Sequence, residues 1–237
     1  MPRAITLDRR RVSTGAGATN PTRGEQTVTR ILEGALELLN RADEAAVTTN
    51  HIAAHLRMSP GNLYYHFRNR EEIVRAIFPR IVAEALAATA PPGGPQLTAQ
   101  EFGERHLQGV RTLWRYRFFF RDLNQLIARD PRLAEEYREY QRLLRAQYRG
   151  VFERLMRDGS MRAPEPAEDL DRLVADSMVI WANWIPHLIA LRPRPEITRR
   201  DVVEAALHSF LVVAPLLTRR FAADTRRVIE SHGARAK

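Results

Sequence analysis

The stretch from Ser59 to Glu72, SPGNLYYHFRNREE, decides how the chain folds. Two residues that disfavour helix interiors, Pro60 and Gly61, come just before a crowd of aromatic side chains, Tyr64, Tyr65, His66 and Phe67. Their order fits a helix start. Ser59 has the side chain of an N-cap, and Pro60 is tolerated at the first helical position, where its missing N–H would have had no intrahelical partner. Leu63 and Phe67, four apart, then share one face. Asn69 and Glu72 have the spacing of another N-cap and its N3 partner, so a new helix begins at once.

Working outward, Val28, Ile31, Leu32, Ala35, Leu36 and Leu39 form one stripe of an amphipathic helix. Thr48 precedes a short helical segment with Ile52, Ala53 and Leu56. Beyond the opening stretch, Ile73, Val74, Ile77, Phe78 and Ile81 continue a fourth helix, with Pro79 inside it as an expected kink. Residues 1–20 carry Arg3, Arg9, Arg10 and Arg11 without apolar periodicity and read as a disordered basic arm.

PPGGP, Pro91 to Pro95, is the strongest breaker in the chain and marks a domain boundary. Later helix starts are signalled by Thr98 with Glu101, by Asp130 before Pro131, and by Thr198 with Asp201. No alternating β-branched run bounded by turns appears. The expected fold is all-α: four helices, a linker, then about five longer ones. The arm would cover 1–20, a small helical domain 21–90, and a larger helical domain 96–230.

Composition bounds the function. The 237 residues are 44% hydrophobic, enough for a substantial core, and carry a net charge of +9. A basic excess suggests a polyanionic partner, although residues 1–88 hold 12 Arg against 9 Asp and Glu, so the charge is spread along the chain. With no cysteine, disulfides, thiolate metal sites and cysteine nucleophiles are excluded, which suits a reducing cytoplasm. The longest uncharged apolar runs, Ser177 to Leu191 and Ala205 to Thr218, fall short of a membrane span, and no secretory signal is evident. A cytoplasmic protein with no membrane partner is expected.

Two short helices separated by Arg57, Met58 and Ser59 have helix-turn-helix dimensions. In that motif the second helix enters the major groove N-terminus first. Small residues at 60 and 61 then clear the way for Asn62, whose amide can pair with a base edge. Tyr64, Tyr65 and His66 lie beside or opposite the Leu63–Phe67 stripe, where they could reach phosphate or, for Tyr65, a thymine methyl. Arg70 in the first turn of the next helix opposes the helix dipole, a conflict that a phosphate would remove.

From about Arg23 to Arg80 the chain resembles the TetR family of bacterial transcriptional regulators, through TRILEGALELL, VTTNHIAAHLRMS and above all SPGNLYYHF, which matches the family's Gly-x-Leu-Tyr-x-His-Phe signature at every fixed position. The resemblance implies an all-α homodimer with an N-terminal helix-turn-helix DNA-binding domain and a larger helical domain for ligand binding and dimerisation. It implies a ligand-responsive regulator of double-stranded DNA, mostly a repressor, on a palindromic operator. Carried over position by position, Pro60, Gly61, Asn62 and Tyr65 would face bases, while Thr48, Thr49, Ser59, Tyr64, His66 and Arg70 would hold the phosphate backbone. Two departures stand out. Arg57 occupies a turn position where the family commonly has Gly, which suggests a differently shaped turn, and the usual Gly between the first two helices is absent around Asp43 and Glu44.

In the second domain, the segments Glu168 to Leu191 and Thr198 to Arg220 are apolar over much of their circumference, which favours pairing with symmetry copies in a homodimer. Pro186 and Pro215 should kink or interrupt them. An apolar cavity for a small, largely apolar effector is expected, with Trp114, Phe118, Tyr137, Trp181, Trp184 and His187 as candidate lining. For any single one of these residues, ordinary core or dimer packing is the stronger explanation. His51 and His55 have the spacing of a helical metal pair, but Ile52 stands where a zinc protease has its glutamate and no third ligand is suitably spaced. No metal, cofactor or catalytic set is expected. The competing class is a helical interaction protein whose second domain binds a protein partner and which lacks sequence-selective DNA binding.

Overall fold

The computed structural model describes residues 22–41, 47–90, 94, 96–192 and 197–234. The basic arm, the Asp43–Glu44 position and all of PPGGP except Gly94 lie outside the described residues. Among the described residues the fold is all-α, with helices α1 (Arg23–Arg41), α2 (Thr49–His55), α3 (Pro60–His66), α4 (Arg70–Thr89), α5 (Ala99–Arg115), α6 (Arg117–Arg121), α7 (Leu123–Arg129), α8 (Pro131–Arg157), α9 (Asp169–Leu191), α10 (Arg199–Val213) and α11 (Arg219–Ala234). The five longer helices expected after the linker are joined by two short ones, α6 and α7.

Most boundaries follow from local chemistry. Ser59, Asn69, Thr98, Asp130 and Thr198 each accept a backbone N–H at the start of a helix, and Thr98–Glu101 and Thr198–Asp201 form complete capping boxes. The Asn69 box is incomplete, because the Glu72 carboxylate accepts instead from the Arg68 N–H at 2.8 Å. The three prolines behave differently. Helices α4 and α9 run on through Pro79 and Pro186, whereas Pro215 lies in a 3-10 turn, Ala214–Leu216, that splits the expected Thr198–Arg220 helix into α10 and the start of α11. Pro79 is exposed, so the backbone hydrogen bond lost at that position lies at the surface and the helix continues.

The turn between α2 and α3 keeps the left-handed shape that a glycine would favour. Arg57 has φ 52°, its N–H donates to Ala54 O at 3.1 Å, and the Met58 N–H donates to Ala53 O at 3.0 Å, the paired bonds of a Schellman cap. The expectation of a differently shaped turn is therefore corrected: the two carbonyls are satisfied only in this geometry, and Arg57 adopts it despite its Cβ. At the crossing of α1 and α2 a small residue is required, since a Cβ on Gly34 would lie 2.4 Å from Leu56 Cδ2.

Two hydrophobic cores fill the molecule, and they do not divide at PPGGP. One runs from Ile31, Leu39, Ile52, Leu63 and Phe67 through Ile73, Ile77 and Phe78 to Phe118, Phe119, Leu133 and Ile185. The other joins α5 with α8, α9, α10 and α11 through Phe102, Leu107, Phe152, Val174, Phe210 and Ile229. Polar contacts tie the first core together. The Asn40 amide donates to Arg115 O at 2.8 Å and accepts from the Phe118 N–H at 3.1 Å, Tyr116 donates to Glu84 at 2.7 Å, and Arg75 pairs with the buried Asp130 at the start of α8. Asp201 accepts both guanidinium arms of Arg192, at 2.9 and 2.7 Å, closing α9 onto α10.

By length and composition alone α9 is long and apolar enough to cross a membrane, with a mean hydropathy of 1.2 over its most apolar window. Only 22% of that window is buried within the chain. Its outer stripe is mixed, with Asp176, Val179, Asn183 and His187 exposed.

Replacing Arg57 with glycine removes the steric cost of a left-handed L-residue, about 1–2 kcal/mol, and partly offsets it with unfolded-state entropy. The expected outcome in thermal denaturation is an increase of roughly 2–4 °C in Tm. Arg57→Ala, which keeps a Cβ at the same φ, should give no such gain.

Candidate functional site

Helix α3 is held from behind and open in front. Leu63 is fully buried and Phe67 nearly so, while the Ser59 hydroxyl accepts from the Asn62 N–H at 3.2 Å and fixes the first turn. Ser59, Pro60, Gly61, Asn62, Tyr64 and Tyr65 are all exposed. Tyr65 is 85% exposed, with its ring edge-on to His66 at 5.1 Å. Tyr64 and Thr49 share a hydrogen bond of 3.0 Å between hydroxyls, which locks α3 to α2. Thr48 caps α2, accepting from the His51 N–H at 3.3 Å while its own N–H donates to His51 Nδ1. His55 lies 3.3 Å from Glu37, so the two histidines of HIAAH have separate structural partners. Among the described residues no group of three or more His, Asp or Glu side chains could hold a metal ion.

Gly61 is the informative residue on this face. A Cβ there would meet nothing within 4 Å, and its φ is ordinary, so the fold gains nothing from glycine at this point. Gly61 is the second residue of α3, in its first turn, so its small size is the property that its exposed position displays. Beside it a groove of about 500 Å³ opens between α1 and α3, lined by Arg23, Thr27, Arg30, Asn62, Tyr65 and His66 among others, with no carboxylate in its wall. Arg23, Thr27 and Arg30 belong to this surface and were not singled out in the sequence, because their placement depends on how α1 crosses α3.

Arg70 is placed differently from the sequence expectation. Its side chain is 11% exposed, and the guanidinium reaches Val47 O and Glu71, both at 3.4 Å. Glu71 and Glu72 also occupy the first turn of α4, where their charges suit the helix dipole that Arg70 opposes. Arg70 instead secures the backbone immediately before Thr48.

A second site lies within the larger domain. A cavity of about 90 Å³ is bounded by α4, α5, α6, α8, α9 and α10, with Phe102, His106, Gly109, Thr112, Phe152 and Trp181 in its wall. Of the six residues expected to line a pocket, only Trp181 does so; its indole lies against Gly109, where a Cβ would be 2.9 Å from the ring. Phe118 is fully buried in the first core, and Tyr137 packs there against Phe78 and Phe119 and accepts from Gln141 at 2.6 Å. The Arg117 guanidinium stacks on Trp114 at 4.5 Å, Trp184 is half-buried against both cores, and His187 is exposed on α9. The residues that sequence reasoning missed, Phe102, His106, Gly109 and Leu113, form a helical stripe on α5 whose periodicity is that of any buried face.

Two polar groups in the cavity wall are unusual. The Thr112 hydroxyl is the one buried side-chain oxygen or nitrogen without a hydrogen-bond partner among the described residues. His106 Nδ1 lies 2.8 Å from Phe102 O. A carbonyl can only accept, so Nδ1 carries the proton and Nε2 is left as an acceptor. Burial pushes the imidazole pKa down to about 4, only partly countered by that hydrogen bond.

The comparisons with known proteins agree with this geometry. Residues 31–77 match the profile described as bacterial regulatory proteins, tetR family, and residues 81–224 match that described as TetR, bacterial transcriptional repressor. A TetR-family transcriptional regulator from Marinobacter aquaeolei VT8 is 30% identical, with TM-score 0.77, over 87% of this chain and 98% of that one. Salmonella enterica GusR (18% identity, TM-score 0.60, 82% and 99% coverage) and PfmR from Thermus thermophilus (21%, 0.62, 80% and 100%) share the fold. No curated protein matches the chain. The chain belongs to the TetR family, and it is accordingly a DNA-binding regulatory protein.

The buried histidine gives a pH prediction. Unfolded, His106 takes up a proton near pH 6.5, and folded only near 4, so its contribution to stability is complete above 6.5 and is lost as pH falls through that window. At pH 5 the loss should be about 2 kcal/mol. Urea titrations at pH 7 and pH 5 should show a smaller drop for His106→Leu than for the unmodified protein.

Proposed function

We propose that the protein is a ligand-responsive repressor that binds a palindromic operator as a homodimer, each subunit laying α3 in a major groove. The observation that carries this reading is the outer face of α3. It presents an open glycine and an almost fully exposed tyrosine beside a groove lined by arginines without carboxylates, features that cost stability or solubility unless a partner covers them. Pro60, Gly61, Asn62 and Tyr65 would meet base edges, and Thr48, Thr49, Ser59, Tyr64 and His66 the phosphates. Arg70 supports this set by holding Val47. Repression follows the description of the family profile that covers the larger domain.

The dimer is supported by the distribution of exposed large apolar side chains. Among the described residues these are Tyr64 and Tyr65 on α3, and Val179, Leu191 and Leu211 on α9 and α10. A C2 pairing of α9 and α10 with their copies would cover the second group. Leu211→Asp is expected to give a monomer in light scattering while leaving the helical circular dichroism intact.

Selection of bound DNA fragments with purified protein should recover a palindrome. Failure to select any sequence at low salt would favour the protein-interaction reading. Gly61→Ala separates fold from function: an added methyl meets open space, so stability should not fall, while operator affinity falls by about tenfold or more. Asn62→Ala should relax preference at one base pair, whereas Arg70→Ala should lower stability together with binding on all sequences.

A further inference from the structure

We propose that the cavity takes a small apolar monocarboxylate, its head group accepting hydrogen bonds from the Tyr140 and Tyr148 hydroxyls and balancing the charge of Arg105. The inference rests on the reading of the protein as a ligand-responsive regulator and gives the chemistry of its effector.

The two phenols are the polar groups that open on the cavity. Tyr140 and Tyr148 both line it from α8, with Leu144 between them. Neither hydroxyl has a hydrogen-bond partner among the described residues. The Thr112 hydroxyl is unpaired but sealed, and it alone is in that state among the described residues, so the two phenol oxygens keep accessible surface. Their surroundings are dense all the same. Tyr140 is 4% exposed, and burial is the main cause that pushes both phenol pKa values up. An unpaired oxygen that is deeply placed yet accessible faces a cavity, and this is the cavity that both rings line. Tyr140 adds to the rise at Tyr148, so the two hydroxyls are near enough to meet one ligand.

The free polar capacity of the wall is that of donors. Each phenol, kept neutral by burial, holds a proton to give. Thr89 already gives its proton to Gln147, Ser177 to Leu173 O at 2.8 Å and Ser209 to Ala206 O at 3.0 Å. No carboxylate lines the cavity. An acceptor head group satisfies the phenols, whereas an ammonium would be buried without a counter-ion.

The sign of the charge follows from Arg105. This residue lines the cavity and also a surface groove with Glu101 and Glu104, so it stands between the two spaces. One guanidinium N–H donates to Ala90 O, the others remain to donate, and Arg105 has no ion pair among the described residues. Glu101, one turn earlier, is held by the Thr98 N–H and hydroxyl, each at 2.9 Å. Burial lowers the Arg105 pKa, a penalty on its charge that an anion in the cavity would offset.

The rest of the wall sets the body of the ligand. Phe102, Phe120, Phe152 and Trp181 offer apolar faces. The volume of about 90 Å³ gives roughly six to nine water-sized sites at ~10–15 Å³ each, the size of a single ring or short chain with its head group.

The test uses full-length protein and benzoate near pH 7.5, followed by calorimetry. Benzamide keeps the acceptor and removes the charge, and benzylamine reverses the charge. The expected result is 1:1 binding of benzoate, with benzamide weaker by about tenfold or more and benzylamine unbound. Tyr140→Phe and Tyr148→Phe each remove an unpaired hydroxyl, so each should lower benzoate affinity by about fivefold to tenfold while Tm stays the same or rises. Arg105→Gln, which keeps a donor for Ala90 O, should bring benzoate down to the affinity of benzamide. Absence of benzoate binding, benzamide or benzylamine binding as tightly as benzoate, or unchanged benzoate affinity in both tyrosine variants would overturn the assignment. DNA selection on the same preparation separates the two readings. A recovered palindrome without benzoate binding rejects the ligand class alone, and benzoate binding without a palindrome supports the ligand class while rejecting the regulator.

Discussion

The packing of the buried Phe118–Phe119–Phe120 run against α1, α4 and α8 is the constraint on which the rest of the molecule depends. Phe119 stacks on Phe78 at 5.1 Å, and Phe78 in turn meets Tyr140 edge-on at 5.9 Å. Helices α2 and α3 have seven residues each, well below the ~12–15 at which an isolated helix becomes even marginally stable. They persist because Ile52, Leu63 and Phe67 insert into a core that continues through α4 to this aromatic run. The exposed face of α3 thus rests on no core of its own.

That continuity gives α4 two roles. Ile73, Ile77 and Ile81 belong to the core beneath α3, and Ala85, Ala88 and Thr89, further along the same helix, line the cavity. An occupant of the cavity would bias α3 only to the extent that it prefers one position of α4 over another. The polar ties Arg75–Asp130 and Tyr116–Glu84 hold the position seen here.

Three positions carry a local cost that the fold does not recover. Gly61 weakens a short helix in open space, Thr112 buries a hydroxyl without a partner, and His106 keeps a neutral imidazole in an apolar wall. Gly61 lies on the exposed face of α3, and His106 and Thr112 lie in the cavity wall. Arg57 is a fourth strained position, and nothing in the structure explains why arginine stands there.

Much of the fold was legible in the sequence because the interactions that start and stop helices act within one turn. Ser59, Thr98, Asp130 and Thr198 cap as their spacing predicts, and the stripe from Ile31 to Ile81 is buried as its period requires. The outward face of α3 was readable for the same reason, since Leu63 and Phe67 fix which residues are left outside. Tertiary structure alone decided the rest. Arg70 is turned inward, with its guanidinium 3.4 Å from the Val47 carbonyl, 23 residues earlier. The cavity chose Trp181 but neither Phe118 nor Tyr137, although all three read as aromatic residues of helical segments. Periodicity tells a side chain that it faces inward, but whether it meets another side chain or a void depends on how two helices cross, and no spacing within one helix encodes that.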